Sequence, residues 1–330
     1  MTLTAALFLA ATLGLTQPRT APASQPDAPK ADRAADPAWP FTEDKPTEIA
    51  KGYKFTEGPT WVPSGESKDG KRPGFFVFCD MAGDTVYRWD GGKEAPAELR
   101  KPSGNAVGSA ADKKGTIYQV ETEGRVVSSW SVESGKPSRR TEAAGKFESK
   151  PLGGMNDVAV HDNGSVYVTH GNWFIGKEPT PFQGVLRISP DGKTSKVAEG
   201  LSGPNGICFS PDGKTAYVTE YGAAKINAYP VKEDGSFGDR KLFADLTQMA
   251  GKQGVKARGG ADGIRTDGRG NIYSTGPGGI WVLNPKGEFI AHLPTRATNL
   301  AFGGDDGKTL LITTGGGVSR IGVKNAGAGW

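Results

Sequence analysis

Asn205-Gly206-Ile207-Cys208-Phe209-Ser210-Pro211-Asp212-Gly213-Lys214-Thr215-Ala216-Tyr217-Val218 reads as a polar opener, a short apolar run, a Pro-Asp-Gly turn and a second apolar run. An Asp-Gly turn between two β-prone runs is a hairpin signal. The same order recurs on both sides. Asn105 precedes an apolar stretch, the turn Asp112 to Gly115, and Ile117-Tyr118-Gln119-Val120. Asn156 precedes Asp157-Val158-Ala159-Val160, the turn His161 to Gly164, and Val166-Tyr167-Val168. Asp262 leads to Ile264, the turn Asp267 to Gly270, and Ile272-Tyr273. Asn299 leads to Leu300-Ala301-Phe302, Asp305-Asp306-Gly307 and Leu310-Leu311-Ile312. A looser copy starts at Glu57 and resumes at Phe75 to Phe78 after a longer turn.

The openers lie 37 to 57 residues apart, so each unit has room for about four strands of ordinary length. One such unit cannot bury its faces alone, whereas six arranged radially bury them against one another. The fold expected is therefore all-β, a six-bladed β-propeller over residues 46–325 with a central metal-binding channel. A pair of two-sheet sandwiches would leave the sixfold motif unexplained. Radial closure requires the segment Thr47 to Phe55 to pair with the unit that contains Asn299. Helix is expected only around Leu246 to Gly251.

Composition agrees. Glycine supplies 49 of 330 residues, about twice average usage, as frequent turns demand. The 40 basic and 36 acidic residues nearly balance, and no basic run is interleaved with aromatics, which argues against nucleic acid. Residues Leu3 to Leu15 form an apolar run of signal-peptide length, followed by the small-x-small pattern Ala21-Pro22-Ala23, although no Lys or Arg precedes the run. Residues 1–23 are thus expected to be a signal peptide, with export to a periplasmic or external space. Residues 24–45, rich in Ala, Pro and Asp, are expected to be a disordered linker. No later stretch reaches 18 consecutive apolar residues, so no membrane span is expected after signal removal. Cys79 and Cys208 each sit in an apolar run and read as buried thiols, with a disulfide between them the alternative.

Equivalent positions of every propeller unit converge on the axis. All six openers, Glu57, Asn105, Asn156, Asn205, Asp262 and Asn299, carry side-chain oxygens. Singly, each reads as a turn cap. Together they suggest a ring of oxygens suited to a hard divalent cation, calcium foremost, with Zn²⁺, Mn²⁺ or Mg²⁺ as alternatives. The histidines are His161, His170 and His292, and neither H-E-x-x-H nor G-x-S-x-G nor a strand-linked G-x-G-x-x-G occurs. Metal-assisted hydrolysis is the enzyme class these residues permit.

The ordered series Phe55-Thr56-Glu57-Gly58-Pro59-Thr60-Trp61, Met155-Asn156-Asp157-Val158, Gly184 to Gly192, Gly203-Pro204-Asn205-Gly206, Ala261-Asp262-Gly263-Ile264, Thr275 to Trp281 and Thr298 to Gly304 resembles the SMP-30/gluconolactonase/LRE-like propellers. The resemblance covers roughly residues 46–322. It implies a cation held by Glu57, Asn205 and Asp262 and a substrate-facing Asn156. It also implies hydrolysis of a sugar lactone, with Asp262 orienting or deprotonating the attacking water. Asn105 and Asn299 are further expected channel liners, Asn105 toward substrate. Where many relatives carry an aspartate, this chain has Thr169-His170-Gly171, so His170 is either a pocket acid/base in contact with substrate or a loop histidine. Where relatives often carry a histidine, it has Glu121-Thr122-Glu123. A non-catalytic propeller that binds a sugar, peptide or protein at the channel mouth is the competing reading.

Overall fold

The computed structural model describes residues 33–173 and 182–330. The expected signal peptide, and the expected linker as far as Asp32, lie outside the described residues. Strand dominates, and the one α-helix among the described residues, Leu246–Lys252, is capped by the Asp245 carboxylate, which accepts from the Gln248 N–H.

Four four-stranded antiparallel sheets begin their chain order at Ala106–Ala111, Gly154–Val160, Pro204–Phe209 and Ile264–Thr266. A seven-stranded sheet joins the two ends of the described chain. In it Asn299–Gly303, Thr309–Thr313 and Gly315–Gly322 lie beside Thr47–Pro63, followed by Gly74–Asp80, Thr85–Trp89 and Ala97–Arg100. Every hairpin read from the sequence falls between the first two strands of its unit.

The strand Thr47–Pro63 serves two partners. Its first half pairs with Gly315–Gly322 (Thr47 opposite Arg320, Lys51 opposite Gly317), and its second half pairs with Gly74–Asp80. The expected pairing of Thr47–Phe55 with the Asn299 unit is therefore present. It removes an edge that would otherwise expose unpaired N–H and C=O groups.

Apolar side chains pack between successive sheets. Phe75 and Val77 meet Ile117 and Trp130, Val107 and Val120 meet Met155 and Leu186, and Tyr167 and Val185 meet Ile207 and Val218. Ile226 meets Ile264 and Trp281, Tyr273 and Ile280 meet Leu310 and Ile312, and Leu311 and Val318 return to Trp61 and Phe76. Each first strand likewise touches the next, and Asn299–Gly303 touches Thr47–Pro63.

Two boundaries differ from those read in the sequence. The linker does not extend to residue 45. Trp39 and Phe41 are buried in a cluster with Tyr273, Ile280 and Val323, and Thr42 N–H and Lys324 N–H bond across to Gly322 and Pro40 carbonyls. The surrounding Ala, Pro and Asp composition hid an apolar anchor, Trp39-Pro40-Phe41. The packed chain also continues beyond 325, where Gly327 N–H and Ala328 N–H donate to the Gly307 and Thr266 carbonyls. Cys79 and Cys208 are free and buried, and burial pushes both thiols up to about 12. The disulfide alternative is thereby discarded.

Candidate active site

In four units the strand register slips just after the opener, between Glu57 and Thr60, Ala106 and Ser109, Met155 and Val158, and Pro204 and Ile207. A bulge bends a strand and re-aims the side chains beside it. In four units, two of them bulged, an amide at or beside the opener is caught by a threonine of the unit's second strand. Thr169 Oγ1 accepts from Asp157 N–H at 2.9 Å, Thr219 Oγ1 from Gly206 N–H at 2.7 Å, Thr275 Oγ1 from Asp262 N–H at 3.2 Å, and Thr313 Oγ1 from Asn299 N–H at 3.0 Å. Thr219 Oγ1 also donates to the Asp262 carbonyl at 2.8 Å, so one unit positions the opener of the next. Val168-Thr169, Val218-Thr219, Ser274-Thr275 and Ile312-Thr313 occupy the same place in four of the six copies, inside β-favouring runs where a threonine does not stand out.

Close backbone approach supports the arrangement. A Cβ at Gly58 would run into the Val107 carbonyl, and one at Gly206 into the Asp262 carbonyl. Only glycine lets the units approach this closely after Glu57 and Asn205.

Glu57, Asn156, Asn205 and Asn299 are buried, while Asp262 keeps partial access as a residue. Glu57 Oε2 accepts from Gly58 N–H at 3.0 Å and from Asn299 Nδ2 at 3.2 Å. Burial, reinforced by the negative charge of Asp157, raises the Glu57 carboxyl to about 7, against the pull of those hydrogen bonds. Burial, then the charges of Glu57 and Asp157, raises Asp262 well above the ordinary carboxylate range, and Asn205 opposes this weakly. The three carboxyls thus repel one another through a poorly solvated region. Asp157 is fully buried and bonds Arg265 Nη1 at 3.3 Å, which offsets part of its charge.

Asn205 Oδ1 and Asp262 Oδ1 are both buried without a hydrogen-bond partner. A buried oxygen left unpaired costs roughly 1–3 kcal/mol, so two of them beside raised carboxylates call for a positive partner. Among the described residues no three His, Cys, Asp or Glu side chains converge as a metal cluster. The donor set here is instead carboxylate plus amide oxygen, the hard chemistry of an oxygen-seeking divalent cation. Glu57, Asn205 and Asp262 fit that group.

The other expected residues separate. Asn105 is partly accessible, adopts a left-handed φ of 52°, and has its N–H held by Asp84 Oδ1 at 2.9 Å. His170 is buried, its Nε2 accepts from Gly153 N–H at 2.8 Å, and its Nδ1 faces the Phe182 carbonyl at 3.1 Å. With both ring nitrogens engaged by backbone, and burial lowering its pKa, His170 holds the chain around Gly153, which favours the second of its two expected readings over the pocket acid/base. Glu121 is buried between Arg100 at 2.6 Å and Arg140 at 2.7 Å and buttresses the turn that carries Asn105. A cavity of about 620 Å³ lies at the opposite ends of the same strands, among Ala111, Val160, Phe209, Thr266 and Phe302, and none of the six openers lines it.

Sheets packed in succession, with oxygen-bearing openers at one end of each first strand, define an all-β protein of the propeller type. The chain belongs to the SMP-30/Gluconolactonase/LRE-like family, whose model matches residues 55–316. It is 26% identical over 303 residues to the gluconolactonase of Zymomonas mobilis, covering 84% of this chain and 81% of that protein. Among solved structures, the gluconolactonase of Xanthomonas campestris superimposes with a TM-score of 0.73 at 24% identity, over 86% of this chain and 91% of that one. The calcium-binding protein regucalcin of Agrobacterium tumefaciens gives 0.68 at 22% identity, over 87% and 96%.

Proposed function

We propose that the chain is a lactonase, built as a six-bladed β-propeller whose central channel holds one divalent cation between Glu57, Asn205 and Asp262. The observation that carries the reading is the pair of buried, unpartnered oxygens on Asn205 and Asp262 beside two carboxyls held above their ordinary range. When bound, the cation supplies Lewis-acid polarisation of the lactone carbonyl and lowers the pKa of a water. Asp262, the carboxylate opener that keeps partial access, orients the attacking water and accepts its proton on a carboxylate oxygen. Asn156 and Asn105 hold the substrate by hydrogen bonds from their amide groups. Asn299 keeps Glu57 in place through its 3.2 Å bond. Calcium is the cation of choice for an all-oxygen set, with Zn²⁺, Mn²⁺ and Mg²⁺ as competitors. Lactone hydrolysis is supported by the gluconolactonase of Zymomonas mobilis and by the pentonolactonase of Haloferax volcanii, which is 27% identical over 275 residues.

The test is a panel of sugar lactones assayed on chelated protein and after return of each metal. Metal-dependent ring opening is expected. Metal binding without turnover of any lactone would make the chain a non-catalytic binder. Export is part of the proposal, and a mature N-terminus near Ser24 in the secreted or periplasmic fraction is expected. Met1 intact on cytoplasmic protein would remove it.

A further inference from the structure

A ring of oxygens can hold a cation and a carbonyl, but it offers nothing to the apolar face of an organic ring. Ligand pockets ordinarily combine a few placed polar groups with aromatic walls. Such a wall stands beside the openers. Glu220 pairs with Pro204, so Tyr221 leaves its strand at the end where Asn205 lies, and Tyr221 N–H donates to the Gly203 carbonyl at 2.9 Å. Trp173 follows Gly171, which pairs with Gly154, and so lies at the Asn156 end of its own sheet. The Trp173 indole N–H donates to the Pro204 carbonyl at 2.7 Å, immediately before Asn205. The two rings meet edge to face, 5.7 Å between centroids at 89°.

The Tyr221 ring also lies against bare backbone at Gly260, where a Cβ would come within 2.6 Å of its Cγ and Cδ2. Gly260 is two residues before Asp262. The aromatic pair therefore runs from the Asn156 sheet, past Asn205, to the loop that delivers Asp262. Tyr221 is 43% exposed, and among the described residues only Leu242 accompanies it as an exposed large apolar side chain. The ring is thus held on two sides, by Trp173 and by the Gly260 backbone, and open on the rest, which leaves a face against which the apolar side of a ligand can lie.

We infer that Tyr221, braced by Trp173, is the specificity-determining platform on which the ring of a cyclic ester lies while its carbonyl reaches the oxygen ring. The inference rests on the lactonase reading and adds the residue that reads the substrate's apolar C–H face. A stacked aromatic contact is worth about tenfold in binding.

The test compares wild type, Tyr221→Ala and Tyr221→Phe with D-glucono-1,5-lactone and with the ring-free aliphatic ester ethyl acetate, alongside bound-metal content. Tyr221→Ala should raise the lactone KM about tenfold with kcat and metal content unchanged, and should leave the open-chain ester unaffected. Tyr221→Phe should match wild type, because the platform is the ring and not the hydroxyl. An unchanged lactone KM in Tyr221→Ala, or a Phe variant as impaired as the Ala variant, would overturn the inference while wild-type turnover kept the lactonase reading intact. Loss of metal together with activity would assign Tyr221 a structural role and equally overturn it. Absence of wild-type lactone turnover would sink the lactonase reading itself, and the inference with it.

Discussion

Replacing Phe41 with alanine tests whether the segment before the first strand belongs to the fold. Phe41 has no exposed surface and packs edge-on against Trp39 at 5.2 Å and Tyr273 at 5.9 Å, in a cluster that includes Val323. The backbone around it bridges to Val323 and Gly322. Truncating a buried phenylalanine removes its transfer free energy and leaves a cavity, together about 3–5 kcal/mol. At about 2 °C per kcal/mol for a chain of this size, the thermal midpoint should fall by about 6–10 °C. Leu242 is the control: also large and apolar, but 59% exposed, so Leu242→Ala should change stability by no more than about 0.5 kcal/mol. Scanning calorimetry on the two variants decides the matter. Equal midpoints would mean that residues 39–41 lie against the sheets without stabilising them, and the boundary would return to residue 46.

Thr219→Val removes the acceptor for Gly206 N–H and the donor to the Asp262 carbonyl; it should destabilise by about 2 kcal/mol and weaken metal binding measured by calorimetry, whereas unchanged metal affinity would separate the threonine from the site. Glu121 titrates below its ordinary value because hydrogen bonds from Arg140, Ser128 and Arg100 outweigh desolvation, so its stabilising effect is present above pH 4.5 and is lost as pH falls below it. Glu121→Gln should cost about 3 kcal/mol at pH 7 and progressively less as pH falls below 4.5 by denaturant titration, and a pH-independent cost would refute the ion-pair account. Asn156→Ala should raise the lactone KM with metal content intact, and loss of metal would move Asn156 among the ligands.

The repeat was legible because it is written in local chemistry: an oxygen-bearing opener, an apolar run and a glycine-containing polar turn, six times over. Hairpins form within some twenty residues, so their signals are contiguous. What escaped notice depends on contacts across strands. The threonines that hold the openers sit in β-favouring runs where Val-Thr carries no distinctive pattern, and their hydroxyl partners lie 12 to 14 residues away. His170 stayed open between pocket and structural roles because an imidazole is ambiguous until its two nitrogens are seen facing Gly153 and Phe182 backbone. Trp39 and Phe41 were lost in a polar, proline-rich context that averaged their apolarity away. Tyr221 next to Trp173 could not be foreseen, since the two residues are 48 positions apart and meet only when neighbouring sheets are packed.

The most direct test of the cation site is Asp262→Asn. The change nearly preserves shape but removes one negative charge and the group proposed to accept a proton from water. Metal content by atomic spectroscopy and lactone hydrolysis should be measured on the same preparations of variant and wild type. Reduced metal occupancy with activity lower by about 10²-fold or more is the expected result. Full occupancy together with full activity would contradict the assignment of Glu57, Asn205 and Asp262 as one catalytic metal site.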